Sequence, residues 1–293
     1  MAINSYPYAH NSSSSSSGFV MNDPTELFQL IPSRPLTAHK WESACWVIAG
    51  SPGMEGAAIL SARAAQRAGA GYVRLSIPEA ESVEAPLEVV VTKVGKELLL
   101  EDTERFASLV IGPGLGTDPQ ILEGMRQLLQ IIDIPVIVDG DGLKAIKDFT
   151  FKKKSPTYTV LTPHEGEFQI IASQPVSRDR EHSTLELAKK TEAVVLLKGP
   201  TTVVADPEGQ VMTIKAGDQR LATAGSGDVL SGIIGAFLAR GATAFNAACA
   251  AAYLHGELVK ELPLTGIVAG DLDEPLPRLL ERLGVDSPKE KNE

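Results

Sequence analysis

The chain is short of cysteine, short of aromatic residues and without a basic stripe. Its two cysteines, Cys45 and Cys249, belong to no CxxC and no Cys/His cluster. That spacing excludes the usual structural zinc sites and leaves two buried, reduced thiols as the expectation. Acidic residues outnumber Lys and Arg by 37 to 27, for a formal net charge of −10. Such a balance speaks against nucleic acid or an anionic membrane surface as partner. The lone basic run, Lys152-Lys153-Lys154, reads as a solvated loop. No apolar run approaches the about 18 residues of a membrane span, and no basic segment with an apolar core opens the chain as a secretory signal would. A soluble, cytoplasmic protein is expected.

What is present is an α/β pattern. The 293 residues, 43% of them hydrophobic, suffice for one large core. A serine-rich stretch marks residues 1–23 as a disordered tail, and 286–293 read as frayed, leaving one domain over 24–285. Short apolar runs, expected as strands, alternate with alanine-rich helical segments. The strands fall at 46–49, 72–77, 108–111, 136–138, 158–161 and 194–197, with a hairpin of 202–205 and 210–214. Helices are expected over 56–67, after the Asp118 N-cap with Pro119 at the first position, and over 229–239, 244–259 and 276–283. Unbroken apolar strands linked by helices predict a three-layer α/β/α fold with a mostly parallel central sheet.

In open α/β sheets ligands sit beyond the carboxyl ends of the strands, which singles out the residues there. Gly225-Ser226-Gly227-Asp228 stands before a buried helix. Two glycines let a ligand approach the backbone, and the first helical amides carry the positive end of the dipole. Gly225, Ser226 and Gly227 therefore read as an anion hole for a phosphate. A carboxylate there repels phosphate, so Asp228 is either a base taking a proton from an attacking hydroxyl or merely an N-cap. Gly112-Pro113-Gly114-Leu115-Gly116 also opens a helix, but its spacing is neither GxGxxG nor a P-loop. It reads as a tight turn or as backbone against a substrate. His164 in Pro163-His164-Glu165-Gly166-Glu167 is a ligand contact or a structural histidine. Lys198 is a phosphate partner or a solvent-facing strand end. Asp139 and Asp141 hold Mg²⁺ through water or stabilise a turn.

Taken in order, these motifs resemble those of the ADP- or ATP-dependent NAD(P)H-hydrate dehydratases, a branch of the ribokinase-like superfamily. The likeness runs over 31–283 and includes Gly50-Ser51 with Gly56-Ala57-Ala58, Ile111 to Gly116, Val138-Asp139-Gly140-Asp141-Gly142-Leu143 and Leu161 to Glu167. It continues with Leu197-Lys198-Gly199, Thr223 to Gly232 and Tyr253-Leu254-His255-Gly256. The resemblance implies repair of the S-form of hydrated NADH or NADPH, whose ring hydroxyl is phosphorylated by the nucleotide and lost as phosphate. With ADP the products are NAD(P)H, AMP and phosphate. It assigns the hydrated dinucleotide to Ala57, Gly114, His164 and Asp228, with Asp228 as general base. It assigns the nucleotide to Lys198, Gly199, Pro200, Thr201, Thr202 and Gly227. Mg²⁺ and a homotetramer are implied as well. Two departures stand out. His39-Lys40-Trp41 replaces the family's His-Lys-Gly, and Ala224-Gly225-Ser226-Gly227-Asp228 replaces Gly-Gly-Thr-Gly-Asp, which keeps the hydroxyl and the carboxylate. The stretch before the first strand is too short for the epimerase domain fused to some members, so that domain is not expected. The competing reading is a small-molecule kinase of the same fold, such as a vitamin-precursor kinase. A nucleotide-binding regulator without turnover is disfavoured by the presence of Asp228, and a Rossmann oxidoreductase by the glycine spacing.

Overall fold

The computed structural model describes residues 25–80, 83–149 and 159–286. The serine-rich tail, the lysine run 152–154 and Tyr158 lie outside them. Strand formation follows burial: β1 (Ala44–Ile48) is apolar and buried at every position, as a central strand covered on both faces must be. It lies between β2 (Tyr72–Ser76) and β4 (Ser108–Ile111), with Val47 opposite Leu75 and Val110. Beyond β2 comes β3 (Val90–Val91), a short edge strand that the sequence pattern did not indicate. On the other side follow β5 (Val136–Val138), β6 (Thr159–Leu161), β7 (Val194–Leu197), β8 (Thr202–Ala205) and β9 (Val211–Ile214). The pairs from β3 to β7 are parallel. Only β7–β8 and the expected β8–β9 hairpin are antiparallel.

Helices cover both faces. Successive side chains alternate across a strand, so Val47, Val110 and Ile137 join one apolar layer while Trp46, Leu109 and Val136 join the other. The first layer packs under α1 (Thr25–Gln29), α2 (Glu55–Arg67), α6 (Ser226–Ala239), α7 (Ala244–Leu258) and α8 (Leu276–Arg282). The second packs under α3 (Pro119–Ile131), α4 (Glu165–Ala172) and α5 (Arg180–Thr191). The α3 start is as expected: Asp118 accepts from the Gln120 amide, with Pro119 in the first turn.

Helix α6 sits at the centre of the first layer because its small residues let it come close. A Cβ on Gly232 would stand 2.2 Å from the Ser61 carbonyl oxygen of α2. The Ser61 hydroxyl in turn donates to the Asp228 carbonyl at 3.0 Å. These contacts fix the α6 N-terminus relative to α2 and the sheet. The helix starts at Ser226, three residues before the apolar pattern begins, because its first turn is only half-buried and apolar periodicity registers only the part inside the core. At the far end, the Asp286 carboxylate accepts from Arg240 at 2.6 Å and from the Arg34 amide at 2.9 Å. The frayed end expected from 286 is thus tied down at its first residue, and 287–293 lie outside the described residues. Cys45 and Cys249 are free and buried. Burial pushes the Cys45 thiol up to about 12 and the Cys249 thiol well above its usual range. Among the described residues no helix is long and apolar enough to cross a membrane.

Candidate active site

From β1 the sheet grows outward through β2 and β3 and then, as the chain returns from β3 to β4, in the opposite direction, which makes the β1/β4 carboxyl ends the switch point where ligand crevices form. Two turns are stitched together there. Gly50 donates to the Pro113 carbonyl at 2.7 Å, and the Ser51 hydroxyl to the Gly114 carbonyl at 2.9 Å. Ala57, near the start of α2, faces Gly114 so closely that a Cβ on Gly114 would stand 2.8 Å from the Ala57 Cβ. Gly112, with φ +117°, lies against the next strand end: a Cβ there would be 2.1 Å from the Asp139 carbonyl. The glycine-rich turn is therefore compressed between β1 and β5, and Ala57 and Gly114 are brought together.

Beyond β5 the site becomes charged. Asp139 is buried and both of its oxygens are engaged, one by the Lys198 ammonium at 2.8 Å and the other by the Ser231 hydroxyl at 2.7 Å. Burial works most strongly against its charge, but the Lys198 charge and the hydrogen bonds from Lys198, Ser231 and Thr162 together outweigh it, and the carboxyl lies below the usual range. Lys198 has a second neighbour in Glu167 at 3.9 Å. Burial works against the ammonium too, yet Asp139 and Glu167 hold it above the ordinary lysine value. Burial, in spite of Lys198, raises Glu167. Lys198 is thus neither solvent-facing nor free. Asp139 is not an open Mg²⁺ ligand either. Asp141 is also committed, to the Gly116 amide at 3.0 Å and to Lys144 at 2.6 Å. Among the described residues no group of three His, Cys, Asp or Glu side chains is placed to hold a metal ion.

His164 is the N-cap of α4. Its Nδ1 accepts from the Gly166 and Glu167 amides at 3.0 and 3.3 Å, while the Glu167 carboxylate accepts from the His164 amide at 2.8 Å. This reciprocal arrangement is a capping box with histidine in the serine position. Because Nδ1 is an acceptor, a neutral ring carries its proton on the exposed Nε2. The structural role and a ligand contact are therefore compatible.

The N-cap of α6 is Gly225, whose φ of 91° turns the chain into the helix's first turn at Ser226. Asp228 is thus the third residue of the helix, and its reading as an N-cap is excluded. The first i→i−4 bond runs from Val229 to Gly225, so the amides of Gly227 and Asp228 precede the helical ladder. Of the three amides expected in the anion hole, that of Ser226 is taken by the Thr223 carbonyl at 3.3 Å. The reason is geometric: a tight turn into a helix closes its own i→i+3 bond. Gly227 backs onto the charged cluster, with the position of its missing Cβ 3.4 Å from the Lys198 Nζ. Asp228 receives no hydrogen bond among the described residues, and burial, then the Asp139 charge, pushes its carboxyl up to about 7.

The turn at Gly199-Pro200-Thr201 is accessible, with Gly199 and Pro200 exposed, and leads into Thr202 at the start of β8. Arg180, at the start of α5, donates through Nη2 to the Lys198 carbonyl at 3.1 Å and pairs through Nη1 with Glu165. The sequence reading passed over Arg180 and Ser231. Ser231 lies three residues after Asp228, one helical turn on and on the same face, a spacing from which it was accessible.

A mostly parallel sheet sandwiched by helices, with a glycine-aspartate turn opening a helix at its carboxyl edge, defines a ribokinase-like α/β protein. The fold matches that of a ribokinase-like superfamily protein from Enterococcus faecalis with a TM-score of 0.80 at 23% identity, over 95% of this chain and 100% of that one. The chain belongs to the NAD(P)H-hydrate dehydratase family, whose model matches residues 45–278. It is 34% identical over 278 residues to the bifunctional NAD(P)H-hydrate repair enzyme of Moorella thermoacetica, covering 86% of this chain and 52% of that protein. The corresponding enzyme of Mycobacterium tuberculosis is 43% identical over 206 residues, 69% of this chain and 42% of that one. The chain spans about half the length of the curated relatives it matches. An ADP/ATP-dependent NAD(P)H-hydrate dehydratase from Bacillus subtilis, co-crystallized with ATP/Mg²⁺, superposes with a TM-score of 0.79 at 28% identity, covering 90% of this chain and 100% of that chain.

Proposed function

We propose that the chain returns the S-form of hydrated NADH or NADPH to NAD(P)H, using ADP or ATP as phosphoryl donor. The observation that carries this reading is Asp228: a carboxylate with no donor on it among the described residues, at about 7, beside the Lys198 ammonium at the mouth of α6. A group at that value takes a proton at neutral pH. In the proposed step Asp228 removes the proton of the ring hydroxyl, and the hydroxyl oxygen attacks the terminal phosphorus of the nucleotide. The bond to the AMP oxygen breaks when ADP is the donor. The phosphate ester then departs with its C–O bonding pair, pushed by the ring nitrogen, and a proton is lost from the adjacent carbon. Hydrate plus ADP gives NAD(P)H, AMP and phosphate, so atoms balance.

The amides of Gly227 and Asp228 and the Lys198 ammonium meet charge building on the transferring phosphate. The 198–202 turn, including Gly199, Pro200, Thr201 and Thr202, takes the rest of the nucleotide. Ala57, Gly114 and the His164 Nε2 face the hydrated dinucleotide. Asp139 keeps Lys198 charged and in place. Bound with the nucleotide, Mg²⁺ would supply charge neutralisation of its phosphates. With Asp139 and Asp141 already engaged, such an ion would draw its ligands chiefly from the nucleotide and water, as suits Mg²⁺. A cytoplasmic location and a homotetramer complete the proposal. The test is recovery of NADH absorbance from hydrated NADH with ADP or ATP and Mg²⁺; phosphorylation of a vitamin precursor instead, with no recovery, makes the chain a kinase of this fold.

A further inference from the structure

Arg180, the first residue of α5, has no part in the chemistry above, yet it meets the turn assigned to the nucleotide. Its own backbone is fixed. The Asp179 carboxylate caps the helix by accepting from the His182 amide at 2.9 Å, and the Thr184 hydroxyl donates to the Arg180 carbonyl at 2.7 Å. Strand β9 holds the next residue, since the Thr213 hydroxyl donates to Glu181 at 2.5 Å. From this anchor the guanidinium reaches two elements. Nη1 pairs with Glu165 at the start of α4, and Nη2 donates to the Lys198 carbonyl at 3.1 Å. Lys198 is thereby held at three points: its amide donates to the Pro163 carbonyl at 2.9 Å and its ammonium to Asp139 at 2.8 Å.

Gly199 records the same contact from the other side. It lacks the positive φ that would by itself call for glycine. A Cβ there would nevertheless stand 2.6 Å from Nη2 and 3.3 Å from Cζ of Arg180, so glycine leaves room for the guanidinium to lie against the turn. The pairing with Glu165 does not account for an arginine here. The Glu165 side chain is 62% exposed, and an exposed ion pair contributes little. Meanwhile Nε is buried with no partner among the described residues, a cost that an apolar side chain would avoid. The contact that remains is the charge-assisted bond to the Lys198 carbonyl. We propose that Arg180 is a positioning residue for the nucleotide: its guanidinium, laid against Gly199 and bonded to the Lys198 carbonyl, fixes the turn 198–202 in the shape that receives the nucleotide. This rests on the reading of that turn as the nucleotide site. It adds a residue that touches neither substrate and acts through the backbone of the turn.

The experiment compares Arg180→Ala, Gly199→Ala and the double variant with the wild type, measuring ADP and NADH affinity by calorimetry and the thermal midpoint. Arg180→Ala removes the donor, and Gly199→Ala pushes the guanidinium off the carbonyl while keeping its charge. Each is expected to weaken ADP binding about tenfold, the worth of one positioned hydrogen bond, with NADH affinity and the midpoint held. The double variant should lose no more than either single one, because with the guanidinium gone the added methyl has nothing to displace. If Arg180→Ala does not fold, Arg180→Gln takes its place in the cycle, since its amide ends at the Nε position, short of the Lys198 carbonyl. Unchanged ADP affinity on losing Arg180, equal losses for ADP, NADH and the midpoint, or a double variant weakened by the product of the two single losses overturns the proposal. Wild-type protein that binds no ADP overturns it together with the nucleotide reading of the turn. Wild-type protein that binds ADP but restores no NADH defeats only the dehydratase reading and leaves the role of Arg180 to be decided by the affinities.

Discussion

The Lys198 ammonium lies 2.8 Å from the Asp139 carboxylate, joining the carboxyl ends of β7 and β5 across β6. The pair lies directly behind Gly227, so one contact both closes the sheet edge and sets the charge next to Asp228. Removing one partner leaves the other buried and uncompensated. Lys198→Met should therefore destabilise the fold by about 3 kcal/mol in urea unfolding. Adding Asp139→Asn should recover part of that loss; additive losses in the double variant would contradict the pairing.

Asp228 sets a pH dependence whose sign is fixed. Its folded value of about 7 exceeds the roughly 3.9 of an unfolded aspartate. The stability that comes with its protonated form is fully present below pH about 4 and is lost as pH rises through about 7. Asp228→Asn should gain on the wild type across that window and then level off. After discounting for the partial exposure of the side chain, the gain is about 2 kcal/mol. Activity moves the other way: kcat/KM of the wild type should rise through pH about 7 as the base deprotonates. A profile flat from pH 5 to 9 (about two units either side) would remove Asp228 from the proton transfer.

Gly232 and Gly56 separate close packing from helix propensity. Gly232→Ala drives a methyl onto the Ser61 carbonyl of α2 and should cost about 1–3 kcal/mol. Gly56, in α2, has nothing within 4 Å of its Cβ position. Gly56→Ala should raise stability by about 0.5–1 kcal/mol. Thermal unfolding of both variants reads the contrast.

Chelation should distinguish a nucleotide-borne metal from a structural one. Among the described residues no cluster is built to hold an ion, so EDTA should leave the melting temperature of the nucleotide-free protein unchanged. Turnover should stop and return on adding Mg²⁺. A lowered melting temperature would point to a metal bound by the chain itself.

Much of this arrangement was legible because its signals are local. The Asp118-Pro119 start, the apolar runs of β4, β5 and β7 and the hairpin turn at 206–209 each depend on a few neighbouring residues. Glycines and charges at strand ends marked the site region. What stayed hidden depends on distant partners. Asp139 was left between a water-mediated Mg²⁺ ligand and a turn-stabilising carboxylate because nothing nearby in sequence reveals Lys198, 59 residues on. The helix α6 was placed too late because its first turn is the site and carries little apolar signal. Ser226 was counted as an open donor, since the Thr223 carbonyl that occupies it depends on the turn's geometry. The edge strand β3, two residues long and exposed, leaves no period to detect.

The central claim is that Asp228 is the base in a phosphate-driven dehydration. Wild type and Asp228→Asn should be incubated with hydrated NADH, ADP and Mg²⁺ while NADH absorbance and AMP are followed together. The account predicts that wild type releases one AMP per NADH restored, that Asp228→Asn binds ADP with unchanged or tighter affinity, and that the variant restores no NADH. Substantial NADH recovery by the variant, or recovery by the wild type without AMP formation from the added ADP, would contradict it.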